Sequence, residues 1–456
     1  MKTLVYTSTL GLVCMLAEMF SLRKFILPIA VTGLLVIFGL NASNWGENQA
    51  FFHNMVVIDN FSVAFSGLLL LLGVFILVLS GNFYKNEESK ISDYLAITIF
   101  TLCGALAMVS FGNMAMFFLG LEVLSISLYV LAGSKRKDVR SNEAAMKYFL
   151  MGSFASGVLL FGIALIYGET GSFDIQGITN YAANSTPSLL YYIGAGMILI
   201  ALLFKVSAAP FHFWAPDVYE GSPTLTTATM ATIAKISAFA AFYRLFSSSL
   251  GSAMPAYAWV LSGVTALTII VGNFSALNQD SFKRMLAFSG ISHAGYMLLA
   301  IVSVYGKTDN ALFFYSLAYA VASIAAFAIA IVVAANVGSE KFDAFNGLGK
   351  RKPLLAMALT IAMLSMAGIP PFAGFFGKYY IFSEAVRAGH LGLVILAVVN
   401  SIVGVYYYFK VIIAMYTKDS SEVSLTIKPA YSVVIVVCIL ITILAGVFPS
   451  MFANLL

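Results

Sequence analysis

The sequence predicts an all-α integral membrane protein with about 14 transmembrane helices, and three observations support this. Hydrophobic residues make up 61% of the 456 residues and charged residues only 10%, whereas soluble domains carry about 25% charged residues. The apolar residues fall into runs close to the roughly 20 residues that a spanning helix needs. Lys and Arg concentrate in alternate loops between these runs. A soluble chain of this composition would expose large apolar patches, which excludes a soluble helical core.

The apolar runs are separated by loops too short to fold as soluble domains, so the chain, 1–456, is predicted to be a single membrane domain. The first run contains Glu18 and no small-residue cleavage site follows it, which predicts a retained span rather than a signal peptide. In order, the 14 runs cover residues 3–22, 25–41, 60–81, 92–110, 114–133, 145–168, 188–214, 224–248, 256–277, 285–304, 310–336, 354–386, 391–416 and 430–452.

Two of the runs contain prolines. Pro210 lies in the seventh run with Pro216 directly after the run, and Pro370 and Pro371 lie in the twelfth. Proline removes a backbone donor and clashes with the preceding turn, so both helices are predicted to be broken. Freed backbone groups at membrane depth are tolerated only against protein or water, and paired broken helices are typical of ion pathways.

The loop charges predict the orientation of the chain. If the first loop is cytoplasmic, the odd-numbered loops hold 16 Lys and Arg, and the even-numbered loops with nearby helix ends hold only Arg244, Lys307 and Arg387. This positive-inside bias predicts that both termini lie on the periplasmic side. It also explains the net charge of +5 as membrane topology rather than as a surface for an anionic partner.

The sequence contains no pattern for a redox cofactor, a nucleotide or a metal cluster. Cys14, Cys103 and Cys438 lie singly within apolar runs, and no two form a C-x-x-C. No G-x-G-x-x-G follows a predicted strand, and no Walker motif is present. We therefore expect no cofactor and no metal in this chain.

Four ionisable residues lie near the middle of apolar runs, where a charge costs about 3 kcal/mol or more and is usually functional. They are Glu122 in the fifth run, Lys205 in the seventh, Lys235 in the eighth and Lys378 in the twelfth. The simpler alternative is that they form buried ion pairs that only fix helix packing. Four such residues in one chain favour an ion pathway.

The spacing of these residues predicts an internal repeat. Helices 4–8, over 92–248, and helices 9–13, over 255–416, are interpreted as two five-helix repeats, inverted because each has an odd number of spans. We hypothesise that the matched residues form one polar axis through the membrane centre, although His293 and Lys410 also fit helix-end positions. Three pairs are separated by nearly equal distances along the chain: Lys205 and Lys378 by 173 residues, Glu122 and His293 by 171, and Lys235 and Lys410 by 175.

A buried lysine beside a carboxylate can act as a proton switch. Burial lowers the proton affinity of an amine, and a nearby carboxylate raises it. When Glu122 approaches Lys205 the lysine is held charged, and when they part its proton can pass to Lys235 or to water. Histidines such as His212 and His293 can carry protons between lysines.

The sequence resembles the antiporter-like subunits of respiratory complex I over essentially its whole length. The form of the loop Pro216–Gly221 and the lysine at 378 are those of the subunit N branch. Lys410 has no counterpart in the family pattern. Four blocks carry the resemblance: 119–125 around the glutamate of helix 5, 205–223 at the broken helix 7, 283–296 at the start of helix 10, and 367–378 at the broken helix 12.

The resemblance implies a function and partners. Glu122 and Lys205 match the family's input ion pair, and Lys235 and Lys378 match its central and terminal relay lysines. It implies that this chain moves protons in the bacterial inner membrane as one subunit of an NADH:quinone oxidoreductase. NADH, FMN, iron–sulfur clusters and quinone are then expected in partner subunits, beside sister antiporter-like subunits. Two alternatives remain open: a subunit of a cation/proton antiporter complex, and a scaffold subunit that does not pump.

Overall fold

A computed structural model describes residues 1–17, 19–20, 23–84, 91–304, 308–418 and 424–456. Glu18, Lys85, Lys90 and Lys307, which the sequence arguments use, lie outside the described residues. The protein is 81% helical, so the all-α prediction is confirmed. Within the described ranges, 11 helices are long and apolar enough to cross a membrane.

The chain forms one helix after another because, in lipid, each apolar run must supply the hydrogen bonds of its own backbone N–H and C=O groups. The first part of the chain forms α1 (Lys2–Ala17), α2 (Arg23–Ala42), β1 (Gln49–Phe51), β2 (Val56–Ile58), α3 (Asn60–Phe83), α4 (Ile91–Ser110), α5 (Met114–Ala132), α6 (Val139–Thr170), α7 (Ile175–Asn184), α8 (Leu189–Lys205), α9 (Trp214–Gly221), α10 (Thr224–Thr229) and α11 (Lys235–Ser247). The remainder forms α12 (Met254–Leu277), α13 (Phe282–Val302), α14 (Asp309–Val337), α15 (Leu348–Arg351), α16 (Pro353–Ala367), α17 (Ala373–Arg387), α18 (Leu391–Thr417), α19 (Pro429–Val447) and α20 (Pro449–Ala453).

The connecting segments gather at two ends of the helix bundle. At the hairpin end, the antiparallel β1–β2 hairpin bridges to Phe111, and Asn113 bridges to Asp174. At the basic end, named for its Lys and Arg, Ser281 bridges to Lys341. Each of these bridges joins loops that the alternation of charge assigns to the same side.

Both predicted helix breaks are present in the structure. The first separates α8 from α9 over residues 206–213, and Ser207 has a φ of 62° there. The second separates α16 from α17 over 368–372, beginning with Gly368 at a φ of 86°, where glycine lacks the Cβ that disfavours this region. The two lysines matched by sequence offset differ in placement, because Lys205 ends α8 before its break whereas Lys378 follows the break in α17.

A third irregularity lies between α10 and α11. Residues Met230–Ala234 form a π-helical turn, and Lys235 follows it directly. Such turns are uncommon and are frequently found at functional sites. The segment from α10 to α11 and helix α13 are buried along their most apolar stretches, and α14 is nearly as buried. These helices therefore form the centre of the bundle.

Candidate functional site

Lys205 is the last residue of α8, at the edge of the first break. Its Nζ donates a hydrogen bond of 2.6 Å to Ser125 Oγ in α5. The Ser125 hydroxyl in turn donates to the carbonyl of Leu121. The ring of Tyr148 lies 5.8 Å from the amine, so an aromatic face and a hydroxyl surround the charge.

Glu122 lies in α5, one turn before Ser125, and is half-buried. Its carboxylate accepts a hydrogen bond from Ser156 in α6. The described ion pairs do not include a direct contact between Glu122 and Lys205. Each partner is held by a serine instead, which corresponds to the separated arrangement of the proposed switch.

Lys235 lies at the centre of the bundle and is 3% exposed. Its Nζ donates a hydrogen bond of 2.6 Å to the carbonyl of Gly290 in α13. The π-turn Met230–Ala234 directly precedes it. The amine therefore links the last helix of the first predicted repeat to the second predicted repeat.

His293 lies one turn beyond Gly290 on α13 and is buried between two tyrosine hydroxyls. Its Nδ1 is 2.6 Å from the hydroxyl of Tyr315 in α14, and its Nε2 is 3.1 Å from that of Tyr408 in α18. Tyr408 also shares a hydrogen bond with the hydroxyl of Ser289. His293 is thus a mid-helix residue rather than a helix-end residue.

Lys378 lies in α17 just beyond the second break. Its Nζ donates a hydrogen bond of 2.7 Å to the carbonyl of Ala367, the last residue of α16, and lies 5.0 Å from the centre of the Tyr296 ring. The Tyr296 hydroxyl accepts hydrogen bonds from Asn273 at 3.1 Å and Ser401 at 3.2 Å. The lysine is therefore held by a hydrogen bond across its own helix break, and it faces a tyrosine ring whose hydroxyl is fixed by two neighbouring helices.

Lys410 and His212 lie outside this centre. Lys410 Nζ donates to the carbonyl of Gln279 at 3.2 Å and lies 4.9 Å from the centre of the Phe342 ring, and both partners belong to connecting segments at the basic end. Lys410 lies inside α18 rather than at its end, and its amine reaches the loops of the basic end. His212 is buried within the first break, with its ring 4.3 Å from that of Phe213.

The structure brings three of the predicted residues into one cluster. Lys235 bonds to Gly290, one turn before His293 on α13, and Lys378 lies 5.0 Å from the centre of the Tyr296 ring, which is 6.0 Å from that of His293. Glu122 and Lys205 form a separate group between α5 and α8. Within the ranges that the structure describes, no group of three or more His, Cys, Asp or Glu side chains is arranged to hold a metal ion.

An ionic cluster at the basic end joins the first break to the second predicted repeat. Asp217 in α9 accepts hydrogen bonds of 2.9 Å from Lys147 in α6 and 3.0 Å from Arg284 in α13, and Arg284 also pairs with Glu220 at 2.8 Å. Burial alone would raise the pKa of Asp217, but the hydrogen bonds and charges of Lys147 and Arg284 outweigh it and lower that pKa.

Sequence reasoning missed most of the partners of the buried amines. Ser125, Ser156, Tyr315 and Tyr408 are uncharged and lie in apolar runs, so composition does not distinguish them from packing residues. One signal was available, because the block after the first break places Asp217 and Glu220 three positions apart, near the start of α10. Acidic side chains so close to a helix break indicate basic partners, but the sequence does not show which Lys or Arg residues approach them.

Comparisons with known proteins agree over the full chain. The family described as "NADH:quinone oxidoreductase/Mrp antiporter, TM" matches residues 110–404. Relatives named NADH-quinone oxidoreductase subunit N, from Flavobacterium psychrophilum and Flavobacterium johnsoniae, are 50% and 48% identical, and each match covers 100% of both chains. A chain from the structure titled "Respiratory complex I from Thermus thermophilus with bound Aureothin" is 32% identical with a TM-score of 0.85, and the match covers 99% of this chain and 98% of that chain. With half of its residues identical to a relative of the same length, the chain belongs to the family of NADH-quinone oxidoreductase N subunits.

Proposed function

We propose that this chain translocates protons as a membrane subunit of an NADH:quinone oxidoreductase, driven by electron transfer in partner subunits. The observation that carries the proposal is the cluster of Lys235, His293 and Lys378 in the buried centre of the bundle. Two amines and an imidazole removed from lipid and from loops are costly to keep unless they serve the chemistry of an ion pathway. Amines and imidazole are also groups whose proton affinity responds readily to their surroundings.

The proposed route begins at Glu122 and Lys205. Movement of the carboxylate toward or away from Lys205 changes the proton affinity of that amine. The proton then passes to Lys235, through His293, and on to Lys378. We assign Lys410 and His212 outer roles on this route, because one lies among the loops of the basic end and the other in the first break.

We propose 14 membrane spans for the whole chain, since the 11 helices of membrane-crossing length are joined by three shorter apolar ones, Lys2–Ala17, Leu189–Lys205 and Pro353–Ala367. The first five-helix repeat would cover 92–248 and the inverted second repeat 255–416. With the basic end in the cytoplasm of a bacterial cell, both termini lie on the periplasmic side of the inner membrane.

In this proposal the redox chemistry takes place in partner subunits, and this chain has no redox centre of its own. NADH, FMN, iron–sulfur clusters and quinone belong to partner subunits in this scheme, and neighbouring antiporter-like subunits lie beside it in the bilayer. The similarity to NADH-quinone oxidoreductase N subunits supports assignment to such an enzyme.

The test is NADH-driven proton translocation in inverted membrane vesicles that carry Lys205→Ala in place of the native chain. Among the residues that the structure describes, the Lys205 amine has one hydrogen-bond partner, the Ser125 hydroxyl, so we expect normal assembly together with strongly reduced translocation. Assembly is checked by the quantity of intact complex, and NADH oxidation with an artificial electron acceptor confirms that the redox subunits function. Normal assembly with unchanged proton translocation and turnover would favour the scaffold alternative and refute the proposal.

A further inference from the structure

The groups around His293 form a continuous series of hydrogen bonds across three helices. Ser289 and Tyr408 share one hydrogen bond, Tyr408 and His293 Nε2 a second at 3.1 Å, and His293 Nδ1 and Tyr315 a third at 2.6 Å. All four side chains are buried, at 3% exposure or less. Burial of three hydroxyls and an imidazole in mid-membrane is favourable only when they satisfy one another.

The two ends of this series lie next to residues that adjoin the two buried amines. Ser289 directly precedes Gly290, whose carbonyl accepts the hydrogen bond of Lys235. At the other end, Tyr315 packs against Gly377, which directly precedes Lys378. The series therefore extends from the surroundings of one lysine to those of the other.

The imidazole in the middle has a hydroxyl at each nitrogen. A neutral histidine carries a proton on one ring nitrogen and a lone pair on the other. One tyrosine must therefore donate to the ring while the other accepts from it. If a proton arrives at one nitrogen and another leaves from the opposite nitrogen, the ring returns to a neutral form with its tautomer exchanged.

We propose that Ser289, Tyr408, His293 and Tyr315 form the proton wire that joins Lys235 to Lys378, an inference that rests on the proposed function. It assigns the three hydroxyls as proton carriers rather than as packing groups. The ring of Tyr319, 4.8 Å from that of His293, closes one side of the wire without bonding to either ring nitrogen.

The transfer balances without a redox partner. The ammonium of Lys235 gives a proton, directly or through one water molecule, to Ser289 Oγ, and the Ser289 proton passes to the Tyr408 oxygen. Tyr408 gives its own proton to His293 Nε2, and Nδ1 gives its proton to the Tyr315 oxygen.

Tyr315 then releases its original proton, directly or through one water molecule, to the neutral amine of Lys378. Each N–H or O–H bond broken is matched by one formed. One positive charge moves from Lys235 to Lys378. The hydroxyls must then turn back before a second proton can pass in the same direction.

The experiment uses Tyr408→Phe and Tyr315→Phe, each in the complete complex, because each change removes only a hydroxyl. We expect either variant to lower the initial rate of NADH-driven proton translocation by at least about tenfold, in the lower range of what a proton-transferring group contributes. The double variant is expected to be no slower than the slower single variant, because both hydroxyls serve one chain of transfers.

Tyr191→Phe is the matched control. Tyr191 is also fully buried and its hydroxyl donates to the carbonyl of Ser249 at 2.8 Å, but it lies at the hairpin end of the bundle, away from the buried amines. We expect this variant to translocate protons at the wild-type rate. If either phenylalanine variant of the wire does not assemble, site-specific replacement of Tyr408 or Tyr315 by 3-fluorotyrosine keeps the hydroxyl and changes its acidity, and a changed translocation rate is expected.

Wild-type rates in assembled Tyr408→Phe and Tyr315→Phe complexes would overturn the wire, as would an unchanged rate in an assembled fluorotyrosine complex. Lys378→Ala in the same assay distinguishes a failure of the proposed wire from a failure of the proposed function. If Lys378→Ala abolishes translocation while the tyrosine variants retain it, the wire is wrong and the proposed function stands. If Lys205→Ala and Lys378→Ala both translocate protons normally in assembled complexes, the proposed function itself fails.

Discussion

The two broken helices hold their lysines in different ways. Lys205 precedes its break and bonds outward to Ser125 in α5, a neighbouring helix. Lys378 follows its break and bonds back across it to Ala367, the last residue of α16. The first amine is therefore sensitive to the position of α5 and its glutamate, whereas the second is sensitive to the geometry of its own break.

The breaks are also closed by different contacts. In the first, the amide of Ala209 donates to Thr268 Oγ1 in α12 at 2.9 Å, and Trp214 Nε1 donates to the carbonyl of Phe204 at 3.1 Å. In the second, the amide of Gly374 donates to Ser365 Oγ at 3.1 Å. Side-chain hydrogen bonds thus hold the first break, whereas close backbone approach at a glycine also contributes to the second.

Equal spacing along the chain therefore does not mean that the two lysines respond in the same way when their helix breaks move. The first break can change while its lysine keeps its partner. In the second, a change in the break moves the lysine as well. Three substitutions sharpen the comparison.

Gly374→Ala is expected to have the largest effect. A Cβ at this position would lie 1.8 Å from the Ser365 carbonyl oxygen, so α16 and α17 must separate. We expect a loss of at least about 3 kcal/mol, the upper part of the usual range for overpacking, seen as a lower melting temperature and less assembled complex. Gly263→Ala in α12 meets nothing within 4 Å and is the control, expected to be neutral or slightly stabilising. Equal behaviour of the two variants would show that the second break is not closely packed.

Thr268→Val is expected to have a smaller effect, on the first break. It leaves the buried amide of Ala209 without its acceptor, which costs about 1–3 kcal/mol. Thr265→Val, one turn earlier on α12, removes a hydroxyl that donates only to Leu261 within its own helix. Thermal unfolding of both variants in the same detergent should place Thr268→Val clearly below Thr265→Val. A reversed order would contradict the role of Thr268.

Asp217→Asn is expected to have the smallest effect, because the Asp217 side chain is 39% exposed and exposed ion pairs contribute at most about 1 kcal/mol. Its lowered pKa means that the stabilisation is complete above the ordinary value for aspartate, about 3.9, and is lost as the pH falls through the lowered value. We expect the melting temperature of Asp217→Asn to lie slightly below that of wild type at pH 7, with the difference shrinking below about pH 4.

The control for this variant is Asp343→Asn, which removes an exposed carboxylate at the same end. Asp343 makes no ion pair among the residues that the structure describes. A pH-independent difference between Asp217→Asn and wild type would exclude the ion pairs as its cause.

The sequence predicted the elements whose signals are local. Apolar runs predicted helices, and Pro210 with Pro370 and Pro371 predicted the two breaks, because each acts on its own few residues. The buried amines were found because a charge is conspicuous in an apolar run. Their partners were not predictable, since the hydroxyl of Ser125 and the carbonyls of Gly290 and Ala367 become partners only when distant helices pack.

Three local features also escaped prediction. The π-turn Met230–Ala234 contains neither glycine nor proline, so no residue signals it. The β1–β2 hairpin and α7 lie in segments predicted only as loops, because elements of three to ten residues are too short for periodicity to identify.

The π-turn before Lys235 has a mechanical consequence. Helix α11 is fixed at its far end, where Arg244 forms two hydrogen bonds of 2.7 and 2.9 Å with the carboxylate of Asp59. An α-helix turns by about 100° per residue about its axis. Loss of the extra residue from the π-turn would therefore rotate α10 about its axis, relative to α11, by that amount. With α11 anchored, this rotation falls on α10 and the chain before it. A single residue of the π-turn therefore sets how the face of α10 is turned relative to the face of α11 that carries Lys235.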